Sequence, residues 1–320
     1  MRRLDRSLIL ELMPARLFLS SGNLMADRRF EFARDLQLKG DLAAAADLLL
    51  QAIELAPDFT SAWFTLAGIR EELGEHDAAI AAYQNAQASD PGDRHGAGLR
   101  LMRLGAKPVS GMPQAYVQTL FDQYAPRFEA SLVGDLGYRG PALLFKAVLS
   151  VRSAARKPAF FERAIDLGCG TGVAAAAFTR TVDHFIGVDL SPRMIERARA
   201  TALYAELEVA DMSQGLRARP DASADLILAA DAIVYVADLP PVLAEASRVL
   251  ASGGLLAFTA ETHGGEGVVI GQGLRYAHSA AYVCDAIDGA GLGLTLLENL
   301  SARNEDHAPV PGLVAVAAKT

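Results

Sequence analysis

The feature that most constrains this chain is a run of alternate glycines, Gly168, Gly170 and Gly172, set directly after the apolar segment 160–166. Glycine adopts the backbone angles of a sharp strand-to-helix turn, and its missing side chain lets a ligand approach the main chain. Further strands are expected at 184–189, 206–210, 225–230 and 255–259, with helices between them at 173–181, 192–201 and 240–250. Such alternation predicts a Rossmann-like α/β fold, a parallel sheet with helices on both faces. Ligands bind such sheets at the carboxyl ends of the strands. The acidic residues fall there: Asp166 at the first strand end, Asp189 at the second, Asp211 at the third and Asp231 at the fourth. A carboxylate at 189 is placed to accept both hydroxyl protons of a ribose, and one at 211 to accept from an adenine amino group.

Two cofactor classes compete for this crevice. Gly170-Thr171-Gly172-Val173-Ala174-Ala175 fits the spacing of a dinucleotide loop, but a lone match of that kind is weak. Against it stands Asp166, two residues before the first glycine. An acidic side chain there repels a pyrophosphate and suits a cofactor carrying an ammonium group, as S-adenosylmethionine does.

The combination resembles the class I S-adenosylmethionine-dependent methyltransferases: Asp166-x-Gly-x-Gly-x-Gly, Asp189 and Asp211 at strand ends, and the turn Arg248-Val249-Leu250-Ala251-Ser252-Gly253-Gly254 before strand five. The likeness covers about residues 114–320 and implies a seven-stranded sheet whose last strand is antiparallel, with 294–299 and 313–318 filling the final places. It also implies that Asp166, Gly168 and Gly170 line the methionine end and that Asp189 takes the ribose. Leu190, Met194 and Met212 would sandwich the adenine, with Asp211 at its edge, or the two methionines would simply be core. Leu167, Cys169, Thr171, Ala210 and Ala229 complete the implied lining, Cys169 as a small loop residue rather than a nucleophile.

Upstream lies a repeat. Shifted by 34 residues, Gly40 falls on Gly74, Ala45 on Ala79, Ala52 on Ala86 and Pro57 on Pro91. Trp63, Leu66 and Ala67 share one helical face. Gly74 allows the turn between antiparallel helices, Ala79 and Ala86 are small where helices meet, and Pro91 ends the second helix. This resembles the tetratricopeptide repeat over about residues 25–94. In the first copy Arg29 stands at the tryptophan position and Phe32 at the leucine. Residues 95–105 are expected to form a capping helix. Such repeats are either surfaces for a protein partner or packing appendages.

The expected organisation is therefore a disordered extension over 1–24, a helical repeat segment over 25–105, a linker over 106–113 and the catalytic domain over 114–320. In that domain residues 114–153 are a helical lid, with Tyr116, Leu120, Tyr124 and Phe128 on one face. Arg2, Arg3, Arg6 and Arg16 could suggest a targeting peptide, but Asp5 and Glu11 interrupt it, which argues against a secretory signal and leaves Met25 as an alternative start. No stretch approaches the roughly 18 uncharged apolar residues of a membrane span. A net charge of −8 gives no global attraction for phosphate backbones. Two cysteines, Cys169 and Cys284, cannot form a disulfide scaffold and point to the cytoplasm. The six histidines are scattered, so no metal site is expected.

The acceptor is less legible. Asp231-Ala232-Ile233-Val234-Tyr235 lacks the Pro-Pro-Tyr of amino methyltransferases acting on nucleic-acid bases, so a small-molecule or protein acceptor is expected. Tyr235 either presents the acceptor or packs. His278 is either a general base, since histidine titrates near neutrality, or part of a helix start with Ser279. Tyr116, Tyr124 and Phe128 either close over the cofactor or dock the helices. Together with the repeats, the entry Tyr116…Phe121-Asp122-x-Tyr124-Ala125…Phe128-Glu129 and the segment Arg275-Tyr276-Ala277-His278-Ser279 resemble bacterial methyltransferases bearing tetratricopeptide repeats. The rival reading is an interaction protein whose repeats recruit a partner and whose sheet binds cofactor without much turnover.

Overall fold

The computed structural model describes residues 17–126, 128, 137–305 and 308–320. Residues 1–16 of the expected extension and Glu129 of the entry segment lie outside them. Chain contacts divide the molecule into two units: one through Val109 plus Pro113–Thr119, the other Ser110–Met112 plus Leu120–Thr320.

The first unit is helical: α1 (Leu24–Lys39), α2 (Leu42–Leu55), α3 (Thr60–Glu72), α4 (His76–Ser89) and α5 (Ala97–Arg103). Gly40 and Gly74 both take positive φ, 84° and 80°, at the turns that reverse the chain. Ala45, Ala52, Ala79 and Ala86 are buried where α1 meets α2 and α3 meets α4, which lets the helix axes approach closely. α5 fills the expected capping place. The Asp93 carboxylate accepts the Ala97 and Gly98 amides at its start, and Arg103 pairs with Glu71 of α3.

Two expectations change here. Residues 17–23 are not a loose extension: Phe18 packs 5.3 Å from Phe30, the Leu19 amide donates to Ser61 Oγ, and Asn23 caps α1. Phe32 does not take the buried place of Leu66. It is 67% exposed, because no described helix precedes α1 to cover that face, and Phe30 fills the core instead.

In the second unit α6 (Gln114–Tyr124), whose first turns belong to the repeat unit, and α7 (Gly140–Ala154) precede the sheet. The strands are β1 (Phe161–Leu167), β2 (Val182–Asp189), β3 (Glu206–Val209), β4 (Ala224–Ala229), β5 (Leu250–Thr262), β6 (Val268–Ile270), β7 (Tyr276–His278), β8 (Leu292–Asn299), β9 (Asn304–Glu305), β10 (Ala308–Pro309) and β11 (Gly312–Lys319). Between them lie α8 (Val173–Phe178), α9 (Pro192–Ala200), α10 (Met212–Arg217), α11 (Leu239–Val249) and α12 (Ala280–Gly289).

The sheet runs β3-β2-β1-β4-β5-β11-β8, parallel except for β11, which is antiparallel to both neighbours. Side chains alternate across it. Ala164, Leu226, Leu228 and Ala257 face a core shared with α7 and α8, whereas Ile165, Ile227 and Phe258 face one shared with α11 and α12. This period of two is what a strand covered on both faces requires. The β6–β7 hairpin, which extends the sheet from the end of β5 through β7, was not anticipated. The order reverses between β1 and β4, and the crevice at that switch point is where the acidic strand ends converge. Among the described residues, no helix is long and apolar enough to cross a membrane.

Candidate cofactor and acceptor site

β1 ends in a turn whose backbone angles favour glycine. Gly168, Gly170 and Gly172 have φ of 66°, 52° and 96°, and Gly172 starts α8. A Cβ on Gly168 would lie 2.6 Å from Ala232 Cβ. The turn is locked to β2: the Gly168 and Cys169 amides donate to Val188 O, and the Gly170 amide donates to Asp189 Oδ2 at 2.8 Å. Asp189 Oδ1 accepts the Ser191 amide at 2.8 Å. Each oxygen keeps a lone pair for a further donor, the geometry a ribose diol needs.

Asp166 lies deeper than its expected place lining the methionine end. It has no exposed surface and lies beneath the glycine turn, where Tyr204 donates to its Oδ2 at 2.7 Å. Its Oδ1 is buried without a hydrogen-bond partner. Burial first, then the Asp189 charge, hold its carboxyl up at about 7 against the Tyr204 bond; burial likewise lifts Asp189 to about 6. No cationic side chain among the described residues pairs with either. Two buried acids short of a counter-charge fit a cationic ligand. S-adenosylmethionine carries both a sulfonium and an ammonium.

The rest of the expected lining divides. Met212 is half-buried with its methyl near Gly168, and Leu190 is also partly open, so both face the crevice. Asp211 caps α10 through the Gln214 amide, 2.9 Å from Oδ1, leaving Oδ2 for the crevice. Met194 is wholly buried beside the Ser191 cap and is core rather than a wall for adenine. Leu167, Ala210 and Ala229 are core as well, offering the crevice only backbone. Thr171 is buried with Oγ1 unpartnered. Cys169 packs on Ile195 and Ala198, and burial pushes its thiol well above the ordinary value, which removes it as a nucleophile.

The lid is aromatic. A Cβ at Gly170 would meet the Phe128 ring at 3.5 Å. Phe128 packs edge-on against Tyr124 and Phe121, and Phe121 against Tyr235 at 5.3 Å. Asp122 pins α6 to the start of α9 by accepting Ser191 Oγ–H at 2.5 Å. Tyr116 is placed elsewhere. Its ring lies over Gly96 in the repeat unit, because the first turns of α6 belong there.

Beyond Tyr235 the crevice wall becomes charged. Asp231 takes φ of 55°, rare for a side chain other than glycine, and its amide donates to Thr259 Oγ1. Tyr235 accepts a hydrogen bond from Arg275 Nε at 3.1 Å. Arg303, nearly fully buried, pairs with Glu261 and lies 3.8 Å from Asp231. Tyr138, its phenol raised well above the usual value by burial and then by Asp231 and Asp166, borders the same wall. His278 corrects an expectation: it has no exposed surface, its Nε2 bonds Val236 O at 2.8 Å, and burial holds it neutral down to about 4. No acceptor reaches it in this arrangement. Sequence reasoning missed Tyr204, Tyr138 and Arg303 as site residues, since none stands in a motif, and Asp122, which stands in the aromatic entry segment, was given no role there.

The raised carboxyls predict a pH dependence. Between about 4 and 7 the native chain holds protons on Asp166 and Asp189 that the unfolded chain has released. A cation binding beside them favours the ionised form, so affinity for S-adenosylmethionine should rise as pH increases from about 5.5 to 8. S-adenosylhomocysteine, lacking the sulfonium charge, should show a shallower rise. Calorimetric titration of both across that range checks this; equal slopes would contradict it. Melting temperature alone does not report the effect, because His95 and His278, both held neutral to about 4, act with opposite sign over the same window.

Comparison with known proteins agrees with the geometry. A methyltransferase-domain family model matches residues 165–258, and a tetratricopeptide-repeat model matches residues 36–101. Human methyltransferase-like protein 27 is 28% identical over 201 residues, 62% of this chain and 76% of that protein. A demethylmenaquinone methyltransferase from Tropheryma whipplei (strain Twist) is 32% identical over 102 residues, 32% of this chain and 43% of that protein, so the chain spans less than half the length of this relative. Among solved structures, the [4+2]-cyclase SpnF aligns with a TM-score of 0.51 at 19% identity over 66% of this chain and 97% of that one, a likeness of fold. The matched segments, the sheet order and the acid-flanked glycine turn together give this chain an S-adenosylmethionine-dependent methyltransferase domain and a tetratricopeptide-repeat segment.

Proposed function

We propose that the chain methylates a small molecule or a protein side chain in the cytoplasm rather than a nucleic-acid base. The observation that carries this reading is the wall of the crevice beyond the glycine turn, where Phe121 packs on Tyr235, Tyr235 accepts from Arg275, and Arg303 lies 3.8 Å from Asp231, a mixed apolar and charged surface. Relatives named for small-molecule acceptors, among them an aklanonic acid methyltransferase from Streptomyces, support it. When bound, S-adenosylmethionine supplies a methyl activated by its sulfonium. The glycine turn and Asp189 hold and orient the ribose, Asp166 offsets positive charge from below, and the Phe121–Phe128 lid excludes water.

The repeats recruit the acceptor or its carrier, a role supported by the exposed Leu24, Phe32 and Leu38. Incubating the full chain and a chain starting at Ala106 with labelled S-adenosylmethionine and fractionated cell extract tests both statements. Starting at Ala106 retains Ser110, whose carbonyl accepts from Tyr276. Labelled metabolite or protein should appear with the full chain and fall about tenfold or more without the repeats if they supply local concentration. Label in nucleic acid, or none at all beyond background, would reject the proposal.

A further inference from the structure

Arg275 stands out among the charged groups of the acceptor wall. Arg303 is committed: it pairs with Glu261 and sits 3.6 Å from Glu305 and 3.8 Å from Asp231. Arg275 is not. Its Nε donates to Tyr235, and its one carboxylate contact is Glu261 at 3.7 Å, beyond hydrogen-bond reach and already held by Arg303. Among the described residues its two terminal nitrogens make no hydrogen bond, and the side chain stays 21% exposed. The Tyr235 bond and the Tyr235 ring 5.9 Å away fix the guanidinium plane. A guanidinium so held is a preformed fork for a planar two-oxygen anion.

The fork belongs to the methyl-transfer crevice. Tyr235 leans on Phe121, Phe121 on Phe128, and Phe128 lies over Gly170 of the cofactor turn, a continuous row from turn to arginine. The charges around the fork balance. Arg275 and Arg303 meet Asp231 and Glu261, all largely buried, while Glu305 is half exposed and screened. This neutral quartet admits one added negative charge, whereas an ammonium would face the open fork.

We propose that the methyl acceptor carries a carboxylate held by the terminal nitrogens of Arg275, with its apolar body against Phe121 and Tyr235. This rests on the methyltransferase reading. The test uses the full chain saturated with S-adenosylhomocysteine, titrated by calorimetry with matched acids and amides: benzoate against benzamide, and hexanoate against hexanamide. The acid should bind about tenfold more tightly than its amide in at least one pair, and Arg275→Gln should cut that preference to within about threefold. Arg275→Lys, which keeps the charge without the fork, should retain part of it and guards against misfolding. Absence of acid preference in both pairs, or a preference unchanged in Arg275→Gln, would overturn the inference. Failure of S-adenosylhomocysteine itself to bind would instead sink the reading beneath it.

Discussion

Asp189→Ala should weaken S-adenosylmethionine binding by about 2–4 kcal/mol, roughly 30- to 1000-fold in Kd. The carboxylate does two jobs. It receives the Gly170 and Ser191 amides, fixing the glycine turn against the start of α9, and it offers its remaining lone pairs to the ribose. Alanine leaves those amides without their partner as well as the sugar hydroxyls. Asp189→Asn keeps one accepting oxygen and should lose less. The variant should still fold, since Asp189 is buried at the edge of the crevice rather than among apolar side chains, and circular dichroism melting beside the titration separates the two effects. A loss smaller than about threefold would mean that Asp189 does not hold the ribose.

Gly168→Val should damage both fold and site. At φ of 66° a β-branched residue is strained, and its Cβ would start 2.6 Å from Ala232 Cβ, a contact no rotamer relieves. Strain and overpacking each cost about 1–3 kcal/mol. Together they should lower the melting temperature by roughly 5–15 °C for a unit of this size. Cofactor binding should be lost, because relief of the clash moves the turn away from Ala232 and into the crevice. A variant that melts like the parent and binds normally would show that the turn is not the cradle described.

What could be read in the sequence followed from local rules. The glycine turn announced itself because backbone angles there disfavour other residues, and the alternating strands because each face of the sheet has its own core. The 34-residue repeat was visible through Gly40, Gly74 and the small alanines, all set by helix contact. What stayed hidden depends on tertiary placement. Tyr204 reaches Asp166 from 38 residues away, and Asp122 reaches Ser191 from 69, with nothing at either end to signal the partner. His278 reads as a base on paper, yet the β6–β7 hairpin seals it against Val236. Met194 and Tyr116 carried suitable chemistry to the wrong surfaces, one turned into the core and the other laid over Gly96.

The acid-flanked turn is built for S-adenosylmethionine and not for a dinucleotide. Asp166 beneath the turn is the physical reason: a buried acid short of a counter-charge favours a sulfonium and opposes a pyrophosphate. Calorimetric titration of the full chain with S-adenosylmethionine and, separately, with NAD tests it most directly. A Kd on the order of micromolar is expected for S-adenosylmethionine, and no measurable heat from NAD. Binding of NAD with none of S-adenosylmethionine would contradict it.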